Sequence, residues 1–447
     1  MDEMMTRKEA LNSRLRAERD AAVDVVLEKI RKGEVVRKRT DEVNNHVHTF
    51  HSFSPYSPSG AVYEAWAAGL GIVGIVDHDT LSGAEEMLTV SGRFSMASTV
   101  GFELRVSFRC TPFSERRINN PDSTGIAYMC VHGIPHTRIE EASAFLFPVR
   151  EARRKRSRTI TEKMNRLSLG VTLDYEKDVE GISHVNEGGT VTERHILYAL
   201  AGKIIDKYGK GKGTVEYLSE HLRIVLDPEA ESRLLDMENP YYRYDLLGVL
   251  KAMLLPALYI EPGEEECPDV RDVIAFSERI GAVSAYAYLG DIERDVTGDK
   301  KREKFEDEYL DEFIPYLKAL GFRAVTYMPP RNSEKQMKRL IALSRENGLM
   351  EISGVDINSP RQSFSSPEVL SPVCCHLVDS AWALVAHEKL SSEDSRYGLF
   401  SPGNPMITLP LEKRIEIYAS IGKGMNHGDV KRSAEGYIET IGGYYGM

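Results

Sequence analysis

The sequence predicts an α/β protein built on a parallel sheet or barrel and interrupted by a long helical insertion. Short apolar runs of strand character alternate with helical patterns, the signature of β-α-β units. Titratable residues gather where several of those runs stop, which is where parallel barrels keep their chemistry. Between about residues 138 and 275 the pattern turns almost wholly helical. At 447 residues the chain is long enough for two to four domains of about 100 to 200 residues, or for one large barrel with insertions.

The elements follow in order. Residues 8–33 are rich in helix formers with apolar positions at helical spacing, and Gly33 supplies a stop. An extended stretch at 42–48 comes next. Ser59 is expected to cap a helix from Gly60 to Leu70, Gly71 punctuates, and Ile72-Val73-Gly74-Ile75-Val76 reads as a buried strand ending in Asp77-His78-Asp79. Thr99–Phe108 and Ile126–Val131 read as strands, and strand character returns at 281–285, 322–327 and 349–355. The expected organisation is an N-terminal helical extension (1–40), a barrel (41–137 and 276–400), an inserted helical domain (138–275) and a C-terminal helical tail packed on the barrel (401–447).

Composition narrows the function. Lys and Arg number 57 against 68 Asp and Glu, so the net charge is −11, which argues against a nucleic-acid coat or a membrane-surface protein. The run Arg150, Arg153, Arg154, Lys155, Arg156, Arg158 is the one basic patch, and a solvated helix face is its expected role. The most apolar window, 246–260, is broken by Lys251 and Pro256 and falls short of the roughly 18 residues that a membrane span needs. It reads as a buried helix. No apolar stretch follows the charges at Met1–Lys8, so no secretory signal and a cytoplasmic location are expected. The five cysteines form no C-x-x-C pair and read as reduced thiols, mostly buried.

Six of the twelve histidines (His46, His48, His51, His78, His132, His136) fall within one stretch of about 90 residues. His46 and His48 are two apart, so on a strand both imidazoles face the same way, about 6.5 to 7 Å apart along the backbone. That spacing suits one shared metal. Asp77-His78-Asp79 places three titratable groups at the end of a buried strand, where burial is costly unless they are paired or metal-bound. Glu103, inside a strand-like stretch, needs a partner for the same reason, and Asp356 repeats the theme after Ile352-Ser353-Gly354-Val355.

His46-Val47-His48-Thr49, Ala67 to Thr80, Gly101-Phe102-Glu103, Met129-Cys130-Val131-His132, Val191 to Leu200, Gly281 to Ala285 and Gly354-Val355-Asp356 together resemble the ordered motifs of the PHP (polymerase and histidinol phosphatase) family, over about residues 43 to 360. The resemblance implies a distorted seven-stranded, TIM-like β/α barrel that binds up to three divalent metals for phosphoester hydrolysis. It implies a first metal position at His46, His48, Glu103 and Asp356, and a second at Glu103 and His132. The second lacks a ligand because Tyr288 stands where the family has a histidine. Of the third position only His78 survives, Phe53 and Asn358 having replaced the others. One or two ions (zinc, manganese or iron) are therefore expected, and not three. His51, His136 and His376 are the available substitutes.

The resulting expectation is a metal-dependent phosphoesterase acting through metal-activated water on a small phosphorylated substrate. Asp77 is expected to orient water or a ligand imidazole. Arg194, with the catalytic candidate His195 beside it, is expected to reach over the barrel mouth and hold phosphate, with Arg105 and Arg361 as further phosphate contacts. The alternative is a degenerate member that binds one metal and a metabolite without catalysis. The sequence is silent on oligomeric state.

Overall fold

A computed structural model describes residues 8–120, 122–291 and 304–445. The start of the chain, on which the expectation of no secretory signal rests, lies outside the described residues at 1–7. So do 121 and 292–303 of the expected barrel and 446–447 of the expected tail. Seven strands form a nearly closed, barrel-shaped sheet in chain order: β1 (Val43–Val47), β2 (Ile72–His78), β3 (Ala97–Ser107), β4 (Ile126–His132), β5 (Val283–Ala287), β6 (Ala324–Tyr327) and β7 (Met350–Ser353). The segment after β7 returns to β1. His48 N–H donates to Ile357 O at 3.0 Å, Ile357 N–H donates to His46 O at 3.2 Å, and the Asn44 side chain bonds both backbone groups of Val355.

The sheet is not wholly parallel. β4 runs antiparallel to both β3 and β5, while the other neighbouring pairs are parallel. The connection differs from the others: among the described residues between Ser107 and Ile126 there is no helix, and parallel returns usually run through one.

The helices are α1 (Arg16–Arg31), α2 (Pro58–Ala68), α3 (Ala84–Arg93), α4 (Ile139–Asn165), α5 (Glu193–Tyr208), α6 (Lys212–Glu216), α7 (Pro228–Leu235), α8 (Tyr242–Leu258), α9 (Val270–Ile280), α10 (Leu310–Leu320), α11 (Glu334–Glu346), α12 (His376–Glu393), α13 (Leu411–Gly424) and α14 (Val430–Tyr445). Helix α2 starts two residues earlier than expected. Ser57, not Ser59, is its cap, accepting the Gly60 N–H at 2.8 Å with Pro58 in the first turn.

Ala142 and Leu146 of α4, and Val270, Val273 and Ile280 of α9, share the barrel core, whereas apolar residues from Ile160 to Leu258 form a second core of their own with Phe53. A third cluster joins Ala383, Leu384 and Leu390 of α12, with Tyr418 and Ala434 of α13 and α14, to strand residues such as Val283 and Met350. Buried Glu388 of α12 accepts the Val100 N–H of β3 at 2.7 Å, tying that helix to the sheet.

The basic run on α4 departs from its expected role. Arg153 and Arg156 are 1% and 7% exposed, because that face turns inward toward Asp79, Glu193 and Glu266 rather than to water. Arg154 pairs with Glu180, and Arg150 donates to Asp79 O. Helix α8 keeps Leu246, Leu247 and Leu250 inside but leaves Met253 exposed, so the apolar window is half-buried. Among the described residues no helix is long and apolar enough to cross a membrane. All five cysteines are free, with Cys130, Cys267 and Cys374 buried and Cys110 and Cys375 exposed.

Candidate metal centre

The strand pleat aims a set of metal-ligating side chains into the barrel mouth. His46 and His48 lie on one face of β1 and the residue after it. The β2/β3 register sets His78 directly across from Glu103, so both enter the barrel together. Asp356 arrives on the segment that closes the barrel. Glu103 Oε2 lies 3.8 Å from His46 Nε2, 3.8 Å from His48 Nε2 and 3.2 Å from His78 Nδ1, and Asp356 Oδ1 lies 3.2 Å from His48 Nε2. The His48 and His78 rings stack at 4.7 Å.

These separations test whether a cation fits. His46 Nε2, His48 Nε2 and His78 Nδ1 are buried and have no hydrogen-bond partner, a costly condition for a polar atom unless something else satisfies it. All three nitrogens converge on the same carboxylate. A divalent cation held by imidazole nitrogen and carboxylate oxygen, at about 2.0 to 2.2 Å each, would occupy these lone pairs, and the donor set matches that chemistry.

The electrostatics agree. Burial pushes Glu103 upward, but the imidazoles of His78, His46 and His48 outweigh it and hold the carboxyl at about 2. Burial likewise opposes ionisation of Asp356, yet His48 and His46 keep it well below the usual carboxylate range. His78 is pushed down to about 3 by burial, which leaves its ring neutral and its lone pair available.

Behind the cluster, Asp77 is fully buried and organises the turn after β1. Its carboxylate accepts from Thr49 N–H, Thr49 Oγ1 and Ser52 Oγ, each at 2.6 Å. Ser52 Oγ lies 3.3 Å from His48 Nδ1. Since the serine proton is given to Asp77, its oxygen accepts from Nδ1–H, and the tautomer that leaves Nε2 free to ligate is selected.

The other expected site residues are placed as follows. His132 lies outside the close-set groups, yet its ring is near enough to His46 and Glu103 to feel both, and its buried Nε2 has no hydrogen-bond partner. The β4 residue that does reach the cluster is Cys130, because the register sets Cys130, and not His132, across from Glu103. Arg105 lines the cavity but is committed to Glu266 at 2.9 Å, Glu193 at 3.3 Å and the Tyr128 hydroxyl at 3.1 Å. Arg361 does not line the cavity: its guanidinium grips Asp245 of α8, with Oδ1 at 2.5 Å and Oδ2 at 2.6 Å. Arg194 lines the cavity with its guanidinium over the Phe53 ring at 5.2 Å. His195 does not line it. Its Nδ1 accepts Thr192 N–H at 3.1 Å, closing the start of α5, and burial pushes the ring down to about 3.

Of the positions that depart from the family, Phe53 packs against His195 and Tyr198, Tyr288 donates to Asp307 Oδ1 at 2.5 Å, and Asn358 donates to Asp356 Oδ1 at 2.7 Å. The three substitutes are engaged elsewhere: His51 against Phe50 and His184, His136 with Glu388, and His376 with Glu351.

The cluster opens into a cavity of about 440 Å³. Arg194, Lys251 and Arg331 line it, together with Tyr128, Leu255 and Tyr259. Next to it lies a buried network that sequence reasoning missed, in which Asp79, Glu193 and Glu266 meet Arg105, Arg153 and Arg156. Its acids and bases come from β2, β3, α4, α5 and the loop before α9. Only the burial of Arg153 and Arg156, two of the six in the basic run, could have pointed to it, and that depends on tertiary packing.

No family model and no curated protein matches the sequence. Among solved structures the chain is similar to an amidohydrolase from Chromobacterium violaceum, solved with bound sulfate and no metal, at 15% identity and a TM-score of 0.49, covering 76% of this chain and 96% of that one. It is also similar to a protein from Bifidobacterium adolescentis described as a proposed metal-dependent phosphoesterase, at 20% identity and a TM-score of 0.47, covering 74% and 95%.

Proposed function

We propose that this chain is a PHP-type, metal-dependent phosphoesterase, with its active centre at the His46, His48, His78, Glu103 and Asp356 cluster. The observation that carries the reading is the convergence of three buried imidazole nitrogens, none with a hydrogen-bond partner, on one carboxylate at the mouth of a cavity whose wall carries Arg105, Arg153, Arg194, Lys251 and Arg331. A divalent cation bound there supplies Lewis acidity, drawing charge from a phosphoryl oxygen and making water acidic enough to lose a proton near neutrality.

The remaining work falls to the chain's own residues. Glu103 and Asp356, ionised throughout the neutral range, neutralise the cation and fix its position. Asp77 acts through Ser52 to orient His48. Arg194, Lys251 and Arg331 supply positive charge for a phosphate, with Arg194 the choice for bidentate contact. His195 and Arg361 are assigned no role in this scheme, since neither lines the cavity. Tyr128, Leu255 and Tyr259 offer an apolar wall to the rest of the substrate.

A screen of phosphomonoesters, nucleotides and short oligonucleotides, run beside elemental analysis of the purified protein, tests the reading. Hydrolysis of at least one class by metal-loaded protein is expected. Arg194→Ala should then raise KM by roughly 10- to 100-fold, the equivalent of the ~1.5 to 3 kcal/mol of a charge-assisted hydrogen bond. Bound metal without hydrolysis of any phosphoester would favour the non-catalytic alternative.

A further inference from the structure

The geometry points to Cys130 as a metal ligand that, with His46 and Glu103, forms a thiolate-bearing position selective for zinc-type cations. This rests on the reading that the cluster holds a divalent cation, and extends it to a residue with no place in that reading. The β3/β4 register sets Cys130 directly opposite Glu103, so the two side chains share the inner face of the barrel. Cys130 Sγ lies 3.9 Å from His46 Nδ1 and 4.0 Å from Glu103 Oε1. A tetrahedral ion with bonds of about 2.3 Å to sulfur and about 2.0 to 2.1 Å to nitrogen and oxygen sets its ligand atoms roughly 3.3 to 3.6 Å apart. Both sulfur separations are within about half an ångström of that spacing before any ion draws the ligands in.

Cys130 borders the apolar cluster of Val76 and Val283, and two features of its neighbours set it apart from the other buried cysteines. His46, 6% exposed, keeps its Nε2 without a hydrogen-bond partner on the other edge of the same ring. Glu103 presents its two oxygens to two different donor sets, Oε2 to the imidazoles of His46, His48 and His78 and Oε1 to Cys130. A carboxylate so placed can serve the imidazole-rich position through one oxygen and the sulfur-bearing position through the other. Cys267 and Cys374, also buried, belong to no such group among the described residues. Ligation through Cys130 Sγ and His46 Nδ1 exchanges the thiol proton for the cation and releases that proton to solvent; the neutral His46 ring then carries its own proton on Nε2, so it serves the sulfur-bearing position or the imidazole-rich one, not both at once. A soft thiolate among harder ligands favours zinc and cobalt over magnesium and manganese.

Cobalt(II) titrated into chelator-stripped full-length protein tests this by spectroscopy. The wild type should show a thiolate-to-cobalt charge-transfer band in the near ultraviolet beside the visible ligand-field bands. In Cys130→Ser and Cys130→Ala the charge-transfer band should vanish while ligand-field bands remain. The preference for zinc over manganese should fall by more than the roughly 10- to 100-fold typical of losing an outer partner of a metal site. Should the variants not fold, zinc-edge X-ray absorption on the wild type answers the question, with one sulfur expected at about 2.3 Å. Cobalt bound with no charge-transfer band, a band that survives in Cys130→Ser, or a zinc shell of nitrogen and oxygen alone would each overturn the inference while leaving the proposed function standing. Failure to bind cobalt or zinc at all would overturn both.

Discussion

At the scale of single residues, the candidate metal centre was legible where chemistry overrides local propensity. His46, His48, Glu103, His78 and Asp356 are titratable groups set in or beside apolar strand sequence, and burying such groups needs a reason that a sequence can show. Choosing between Cys130 and His132 was different. Both belong to one strand, and only the pairing of Glu103 with Cys130 decides which of them reaches the cluster. The hydrogen bonds from Asp77 through Ser52 to His48 Nδ1 were equally out of sight, since Ser52 carries no distinguishing pattern. Removing it should have a specific effect. Ser52→Ala is expected to lower metal affinity by roughly 10- to 100-fold, the usual cost of losing an outer partner of a ligand imidazole, with the fold retained. Calorimetric titration of metal-free protein with zinc measures it, and unchanged affinity would remove Ser52 and Asp77 from the site.

At the scale of elements, β2 to β7 were readable as strand-like runs bounded by turn residues or helical pattern, and β1, Val-Asn-Asn-His-Val, only as an extended stretch. The direction of β4 was not, since it is a matter of pairing with β3 and β5. The inward face of α4 was misread because arginine spacing alone does not say whether acids wait on the other side. Close packing between elements gives a second prediction. Gly354 follows β7 so near to β1 that an added Cβ would overlap the His46 Cβ, an atom that cannot rotate away. Gly354→Ala should cost about 1 to 3 kcal/mol by overpacking and shift His46 from its neighbours, so that both the urea midpoint and zinc affinity fall.

The strap after β5 carries a third prediction. Glu306 is fully buried, accepting from Leu289 N–H and Gly290 N–H at 2.8 Å each and from the Tyr286 hydroxyl at 2.6 Å. Burial, with Asp307 beside it, raises its carboxyl from an ordinary 4.5 to about 7. Between those two values the folded state holds a proton that the unfolded state has lost, so stability falls as pH rises through the window and levels off above it. Glu306→Gln keeps one acceptor oxygen for the Leu289 and Gly290 N–H groups, turns the other position into a donor toward the Tyr286 oxygen, and removes the titration. Denaturant unfolding across pH 4.5 to 7 should show a decline in the wild type, on the order of 3 kcal/mol, that is absent in the variant. Parallel pH profiles would contradict the assignment.

At the scale of the whole molecule, the sheet and the helices between β4 and β5 divide the labour. The barrel brings potential metal-ligating side chains from β1, β2, β3 and the segment after β7 into overlapping groups of three. The inserted helices have a core of their own and add Arg194 and Lys251 to the cavity wall. The buried arginine and carboxylate network joins α4 and α5 to β2 and β3 beside that cavity. Little of this joint was visible in advance, because charge pairs across elements leave no periodic trace in a sequence. The central claim is that these parts assemble a metal-dependent phosphoesterase, and the most direct measurement is phosphoester hydrolysis by the purified chain before chelation, after it, and after zinc or manganese is restored. Activity should disappear with the metal, return with it, and be absent throughout in His48→Ala and Asp356→Ala; full activity in the metal-free protein or in both variants would contradict the account.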